Sequence, residues 1–284
     1  MLSVNRNIIF KEEHDLDNKT FYKFVEIIYK HSGIALKPGK EALVQARVAK
    51  RLRATGISDY NEYIEFIKKD EDELWKLIDV ATTNVTHFFR EPKSFDFIQK
   101  AVREWAENGQ RKFRFWSAAS STGEEPYTLA IVLREALRDV WHKMNFDIKI
   151  LATDISDTVL KQAMKGEYPE EKMKKMDKKI LNQHFCCVNN NGMKCYKINQ
   201  ELKNMIVYRK FNLMEDNYPL KGPIDIVLCR NVMIYFDNPT RSQIVRKIHG
   251  IIRSDGFLIL GNAETLTTEG DIYKSVQPSV YRKK

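Results

Sequence analysis

No stretch of this chain approaches the roughly 18 consecutive apolar residues of a membrane-spanning helix. Its first residues, MLSVNRNIIFKEEHDLDNKT, hold neither an apolar h-region nor a small-residue cleavage site. The expected location is therefore the cytoplasm, with no insertion into a membrane. Cysteine is scarce: the four are Cys186, Cys187, Cys195 and Cys229. No C-x-x-C pair is present, so neither a zinc centre nor a disulfide scaffold is expected, only ordinary buried or half-buried thiols and no metal. The six histidines are scattered, which leaves no His/Asp or Cys/His constellation for nucleophilic catalysis. Internal repeats and long low-complexity linkers are also missing.

What is present is positive charge. The 284 residues carry a net charge of +9 and a pI near 9.2, which calls for a polyanionic partner. Nucleic acid and an acidic protein surface both qualify, and charge alone does not choose. No aromatic-interleaved basic groove or RNA-binding module accompanies the charge.

The chain changes grammar part-way along. Up to about Arg90 it reads as helices. FYKFVEIIYKHSGI has apolar residues at helical spacing and Gly33 as C-cap, and KPGKEALVQARVAKRLRATG runs from near Pro38 to Gly56. SDYNEYIEFIKKD has Ser58 as N-cap, and DELWKLIDVATTNVTHFFRE completes an all-helical domain over residues 1–90. From about Arg111, strands and helices alternate: RKFRFWSAA, PYTLAIVLREALRDVW, FDIKILATDIS, DTVLKQAMKGEY, PIDIVLCRNVMIYF, a helix closed by Gly256, FLILGNAE, and SVQPSVYRKK as a terminal edge strand. That alternation predicts a doubly wound α/β sheet within residues 91–284. Between Gly166 and Asn212 it is interrupted by the Lys-rich EEKMKKMDKK and by HFCCVNNNGMKCYKIN. The Asn191-Gly192 turn there predicts an antiparallel hairpin inserted at about residues 183–210.

In an open α/β sheet, ligands lie beyond the carboxyl ends of the strands. The first strand ends in WSAASSTGEEPY, whose small side chains let a ligand approach the backbone. Only one glycine, Gly123, is present, so the dinucleotide G-x-G-x-x-G fingerprint fails. Glu124 and Glu125 would repel a pyrophosphate, so the ligand carries positive charge or hydroxyls. The bland alternative is a capping box of Thr122 and Glu125. Pro126, favoured at the first helical position, argues against it by placing Glu125 just outside the helix and facing the cleft. The second strand ends in LATDIS, with Asp154 placed to bind a ribose diol and Ser156 the more natural cap of the next helix. A cationic, ribose-bearing ligand such as S-adenosylmethionine fits both ends.

The motifs TTNVTHFFRE, FWSAASSTGEEPYTLA, ATDIS, FNLME and IVLCRNVMIYFD resemble, in order and spacing, the chemotaxis-receptor methyltransferase (CheR) family. The resemblance spans nearly the whole chain, to about Glu264. One departure is GNAE at 261–264, where the family has Gly-His-Ser-Glu; the change is read as tolerated. The resemblance implies a class I S-adenosylmethionine-dependent methyltransferase, Rossmann-like, with an inserted small antiparallel β-subdomain and an all-helical N-terminal domain. It implies methyl transfer from S-adenosylmethionine, leaving S-adenosylhomocysteine, to glutamate side chains of methyl-accepting chemotaxis receptors. Asn84, Thr86 and Arg90 would close over the cofactor from the N-terminal domain. Glu125 would hold its charged amino-acid region, Asp154 its ribose hydroxyls, and Asn212, Leu213, Asn231 and Val232 the adenine and sulfonium side. Tyr235 would face the reacting centre, with Arg90 orienting the incoming carboxylate; these two are the expected catalytic residues. His87 is expected to be a helical filler.

The chemistry agrees with such an acceptor. A glutamate of pKa about 4.3 arrives ionised and needs no general base, so in-line positioning is the main requirement. The basic helix also suits an acidic substrate. Between Lys37 and Arg53, six cations stand against Glu41, and Lys40, Arg47, Lys50 and Arg51 share one face, with Val48 and Leu52 beside it as the packing stripe. The insert would be a second receptor-contacting element. In some family members it binds a tether peptide at the receptor C-terminus through a longer glycine-bearing loop; here the turn is only NNNG, so tether-independent recognition is expected. A monomer that does not bind nucleic acid is expected. The alternatives are a methyltransferase acting on RNA or a small molecule, and a non-catalytic receptor-binding module that keeps the cofactor pocket.

Overall fold

A computed structural model describes residues 16–36, 39–190, 192–220 and 222–284. Lys37 and Pro38 of the basic stretch, and Asn191 of the expected hairpin turn, lie outside them. The chain forms two compact units that divide between Thr83 and Asn84, where the sequence reading placed the boundary at residue 90. No helix among the described residues is long and apolar enough to cross a membrane.

Among the described residues the first unit contains four helices: α1 (Asn18–Ser32), α2 (Glu41–Thr55), α3 (Tyr60–Ile67) and α4 (Glu71–Ala81). Each buries one stripe, contributed by Phe21, Phe24 and Ile28, by Val44, Val48 and Leu52, by Tyr63, Ile64 and Ile67, and by Leu74, Leu77 and Ile78. Gly33 and Gly56 close α1 and α2 at φ of 71° and 75°, as expected of αL caps. The cap of α3 is Asp59 rather than Ser58: its carboxylate accepts the Glu62 N–H at 2.8 Å, with the three-residue offset that capping requires. The expected continuation of α4 toward Arg90 does not form; the helix stops at Ala81, and an extended Thr82 ends it.

Inside this unit Glu73 is 2% exposed. It accepts Arg51 Nε and Nη2, both at 2.8 Å, and the Tyr63 hydroxyl at 2.9 Å. A buried charge this well supplied with donors locks α2 to α3 and α4 and would be costly to leave unpaired.

The second unit opens with α5 (Pro92–Glu107). It continues through β1 (Lys112–Ala118), α6 (Glu124–Ala136), β2 (Asp147–Asp154) and α7 (Asp157–Lys165). Next come β3 (Glu167–Pro169), α8 (Glu170–Met173), α9 (Lys178–His184), β4 (Phe185–Asn190), β5 (Met193–Ile198) and α10 (Gln200–Lys203). The unit ends with β6 (Ile206–Lys210), β7 (Ile224–Cys229), α11 (Asn238–Ile251), β8 (Ile252–Leu260), β9 (Tyr273–Gln277) and β10 (Val280–Lys283).

The main sheet runs β6-β2-β1-β7-β8-β10-β9. Its first five strands are parallel and the last two pairings antiparallel. Every residue of β7 is buried, as a strand covered on both faces must be. The final strand of the chain, β10, is not the edge: it lies between β8 and β9, and β9 takes the edge. Gly256 does not close the preceding helix, which ends at Ile251, but sits inside β8. A Cβ there would stand 2.6 Å from Ile252 Cγ2 and 2.8 Å from the Asp225 carbonyl oxygen. The insert is larger than a hairpin, a three-stranded sheet ordered β3-β5-β4, and β6 belongs to the main sheet. All four cysteines are free; Cys195 and Cys229 are buried, but Cys186 and Cys187 are exposed rather than half-buried.

Candidate active site

The five parallel strands deliver their carboxyl ends to one edge of the sheet, and the direction of connection reverses between β1 and β7. The loop after β1 is wound tightly there. Ala119, Ser121 and Gly123 take φ of 60°, 50° and 95°, and the Ser120 N–H donates to the Thr153 carbonyl at 2.8 Å. The Ser121 N–H donates to Asp154 Oδ2 at 2.8 Å, and its hydroxyl to the Asn84 carbonyl at 3.0 Å. Gly123 has no room for a side chain, since a Cβ would stand 2.8 Å from Ala163 Cβ and 2.9 Å from the Tyr168 hydroxyl. Ser120 Oγ is buried without a partner among the described residues, an unsatisfied polar atom at the strand ends.

The helix after this loop begins at Glu124, not at Pro126. Pro126 occupies the third helical position, where its missing N–H is one of the four that no helical carbonyl would accept. Glu125 is therefore inside the first turn and not ahead of it, yet its carboxylate still reaches the strand ends. The capping box does not form either: Thr122 Oγ1 donates to Glu124 Oε2 at 2.6 Å. Glu124, fully buried, also receives Lys172.

A guanidinium organises the other side of the edge. Arg230 follows β7 directly and its side chain is 1% exposed. It donates to Glu125 Oε2 and to Glu91 Oε2, each at 3.1 Å, and to the Arg90 carbonyl, and it lies 5.1 Å from the centre of the Phe95 ring. Glu125 Oε1 accepts the Ser117 hydroxyl at 2.7 Å. Burial pushes the Glu125 carboxyl up, against the pull of Arg230 and Ser117. Burial acts the same way on Glu91, but Asn231, Arg230 and the Asn262 N–H outweigh it and hold that carboxyl below its ordinary value. Glu264, 5% exposed, accepts the backbone N–H groups of Asn231 at 2.8 Å, Gly261 at 2.7 Å and Ile234 at 3.2 Å. One carboxylate thus ties the loop after β8 to the turn after β7.

Most of the expected site residues converge on this edge. Asp154 ends β2, 6% exposed, its carboxylate accepting Ser121 N–H and Ser156 N–H; Ser156, as expected, caps α7 through Val159 N–H. Asn212 and Leu213 follow β6, with Asn212 Oδ1 accepting Met214 N–H at 3.0 Å and Leu213 buried. Asn231 follows β7 at φ 58° and donates to Glu91, Val232 is half-buried, and Tyr235 closes a single 3₁₀ turn, Met233–Tyr235. Asn84, Thr86 and Arg90 belong to the second unit and not to the helical one. Arg90 Nη1 donates to the Val85 carbonyl at 3.1 Å, between two left-handed residues, Phe89 and Glu91. His87, in the same loop, is exposed and lies outside any helix.

The four basic residues expected to share one face, Lys40 at the N-cap of α2 and Arg47, Lys50 and Arg51 within it, lie in the other unit and do not share one role. Lys40 and Lys50 are exposed. Arg51 turns inward to Glu73, and Arg47 is half-buried, donating to the Ala81 carbonyl and to Thr83 Oγ1 at 3.2 Å. Sequence reasoning passed over Arg230, Glu91 and Glu264. Their signals were a lone arginine directly after the apolar run IVLC, an acid next to Arg90, and the glutamate of GNAE.

Two family models cover the chain: the S-adenosylmethionine-binding domain of CheR methyltransferases over residues 84–282 and the all-alpha domain of the same family over residues 19–82. The chemotaxis protein methyltransferase of Borreliella burgdorferi is 34% identical, covering 92% of this chain and 93% of its own. That of Salmonella typhimurium is 34% identical over 89% of this chain and 85% of its own, and that of Escherichia coli 33% over 89% and 86%. The strand order, the left-handed loop after β1 and the acid ending β2 agree with that assignment. The chain belongs to the CheR family of S-adenosylmethionine-dependent chemotaxis protein methyltransferases.

Proposed function

We propose that this enzyme methylates glutamate side-chain carboxylates of chemoreceptors, forming glutamyl methyl esters. The observation that carries the reading is that the carboxylates at the sheet edge are already committed. Glu91 and Glu125 serve Arg230, Glu264 serves three backbone N–H groups, and Asp154 serves two. None stands ready as a general base, which suits an acceptor that arrives ionised.

The residues present fit the cofactor. Ser120 Oγ is an unsatisfied hydroxyl among the described residues, in a loop of small side chains, and the Asp154 carboxylate is held against that loop by the Ser121 N–H. When bound, S-adenosylmethionine supplies an electrophilic methyl group on a sulfonium. Asp154 orients the ribose end; Glu125, with one lone pair left on each oxygen, holds the amino-acid end together with Asn84 and Thr86. Asn212, Leu213, Asn231 and Val232 frame the adenine and sulfonium side. Arg90 orients the acceptor carboxylate without gripping it, because charge is lost on the way to the transition state and a tight ion pair would favour the ground state. Tyr235 lines the reacting centre. Lys40 and Lys50, with Arg47, offer positive charge to an acidic receptor surface, while Arg51 serves through the shape of its helix.

The test combines methyl-labelled cofactor with a chemoreceptor cytoplasmic fragment and scores methanol released by mild alkali, since carboxyl esters hydrolyse there and N-methyl groups do not. Release is expected, cut at least tenfold by Arg90→Ala and by Asp154→Asn, with only Asp154→Asn weakening S-adenosylhomocysteine binding strongly. Alkali-stable labelling of the fragment, or none, would sink the reading.

A further inference from the structure

The segment Glu170–Lys179, EEKMKKMDKK, carries lysines that the site described above does not use. Lys172 is committed to Glu124, and Glu170 to Lys194. Asp177 caps α9 through the N–H groups of Lys179 and Ile180. Lys174, Lys175, Lys178 and Lys179 are exposed, and none has a carboxylate partner among the described residues. Lys178 and Lys179 also stand in the first turn of α9, where the helix dipole disfavours positive charge. Helix stability therefore does not account for them.

The segment is fastened beside the cofactor loop. The Tyr168 hydroxyl donates to the Thr122 carbonyl at 2.8 Å, and Lys172 Nζ lies 3.4 Å from Thr122 Oγ1. Met173, 3% exposed, anchors the segment directly ahead of Lys174 and Lys175. Partial burial first, then the charges of Arg90 and Lys175, lower His87, which stands in the loop that carries Thr86 and Arg90. The geometry points to Lys174, Lys175, Lys178 and Lys179 as a docking surface for an acidic receptor segment that carries the accepting glutamate, in the same unit as the reacting centre. This rests on the proposed acceptor, and it gives the chain's unspent positive charge a place next to the chemistry. Its effect is on encounter and alignment, so it acts on kcat/KM and is screened by salt.

The experiment compares wild type with the four-fold Lys→Gln variant at these positions, and with the two pairwise variants in case the four-fold one folds poorly. Each is assayed by alkali-labile methanol release from the receptor fragment at low and raised salt. A loss of about tenfold in kcat/KM at low salt is expected, with kcat at saturation and S-adenosylhomocysteine affinity within about twofold. The gap should close as salt rises. Lys112→Gln/Lys143→Gln, whose exposed lysines lie away from the loop, should leave kcat/KM unchanged. Wild-type release with no difference in the lysine variants would overturn the surface alone. An equal loss in the control pair would overturn it too, showing bulk charge at work. Loss of RNA binding in the lysine variants, without loss of receptor methylation, would likewise overturn it. No release by wild type would overturn the proposed acceptor and this surface together.

Discussion

Replacing Arg230 by alanine should be the most disruptive single change at the sheet edge. Its guanidinium is 1% exposed and lies 3.1 Å from each of two carboxylates, Glu91 and Glu125. It also supports the Arg90 carbonyl. Removing it leaves two half-buried acids facing each other without their shared cation, a loss of about 3–5 kcal/mol. For a unit of this size that lowers the melting temperature by roughly 6–20 °C. The deficit should depend on pH. Glu125 is already raised by burial, and losing Arg230 raises it further. A carboxyl whose folded pKa lies above its unfolded one binds protons more readily in the fold, so its penalty grows as pH rises through the folded pKa and fades below it. Arg230→Ala should thus melt far below wild type at pH 8 and recover part of the gap at pH 5.5. Adding Glu125→Gln should recover about 1–2 kcal/mol at pH 8, because the orphaned charge is gone. Scanning calorimetry of all three proteins at both pH values checks the argument. A melting loss under about 2 °C, or a gap that does not change with pH, would refute the claim that Arg230 holds two ionised acids.

Gly261→Ala places a Cβ 2.5 Å from Asn231 Nδ2 and 2.8 Å from Glu264 Oε2. It should cost about 1–3 kcal/mol and at least tenfold in methyl transfer, read by urea unfolding and initial rates; wild-type values in both would show that the Glu264 clamp is slack. His184, 4% exposed, is pushed down to about 4 by burial and by Arg134 and Arg138, although Glu135 lies 3.1 Å from its Nε2. A histidine that stays neutral in the fold but protonates near 6.5 when unfolded contributes stability that is lost as pH falls. Between pH 7.5 and 5 that loss is about 2 kcal/mol. His184→Gln should flatten this part of the stability–pH curve, and an unchanged slope would rule the histidine out as its source.

What was legible in the sequence was local. Periodicity marked the helices of the first unit, Gly33 and Gly56 the ends of two of them, and the small residues after β1 with the acid ending β2 marked the sheet edge where the candidate site residues gather. The misses have a common physical origin in choices that depend on distant partners. Ser58 and Asp59 are both good caps, and the winner is decided by the turn that packing selects. Pro126 is compatible with either the first or the third helical position, and the tight turn at Gly123 decides between them. β10 enters the sheet beside β8, and nothing within a strand states its neighbour. Arg230 reaches Glu125 across 105 residues, and the Asn262 N–H reaches Glu91 across 171. Arg51 shares a face with exposed lysines on paper, but its guanidinium turns to Glu73, 22 residues away.

The charges of the second unit are sorted by depth, which ties the two proposals together. At the sheet edge four carboxylates, Glu91, Glu125, Asp154 and Glu264, stand against two guanidinia, those of Arg90 and Arg230. The centre of the site is therefore negative within a chain of net charge +9. A pocket of that sign favours a cationic ligand and repels a free carboxylate. Under the proposed function an acidic acceptor is then brought up by positive charge at the rim, from the exposed Lys174 and Lys175. Neutralising the rim should slow delivery of the acceptor without loosening the cofactor, whereas neutralising Asp154 should do the reverse.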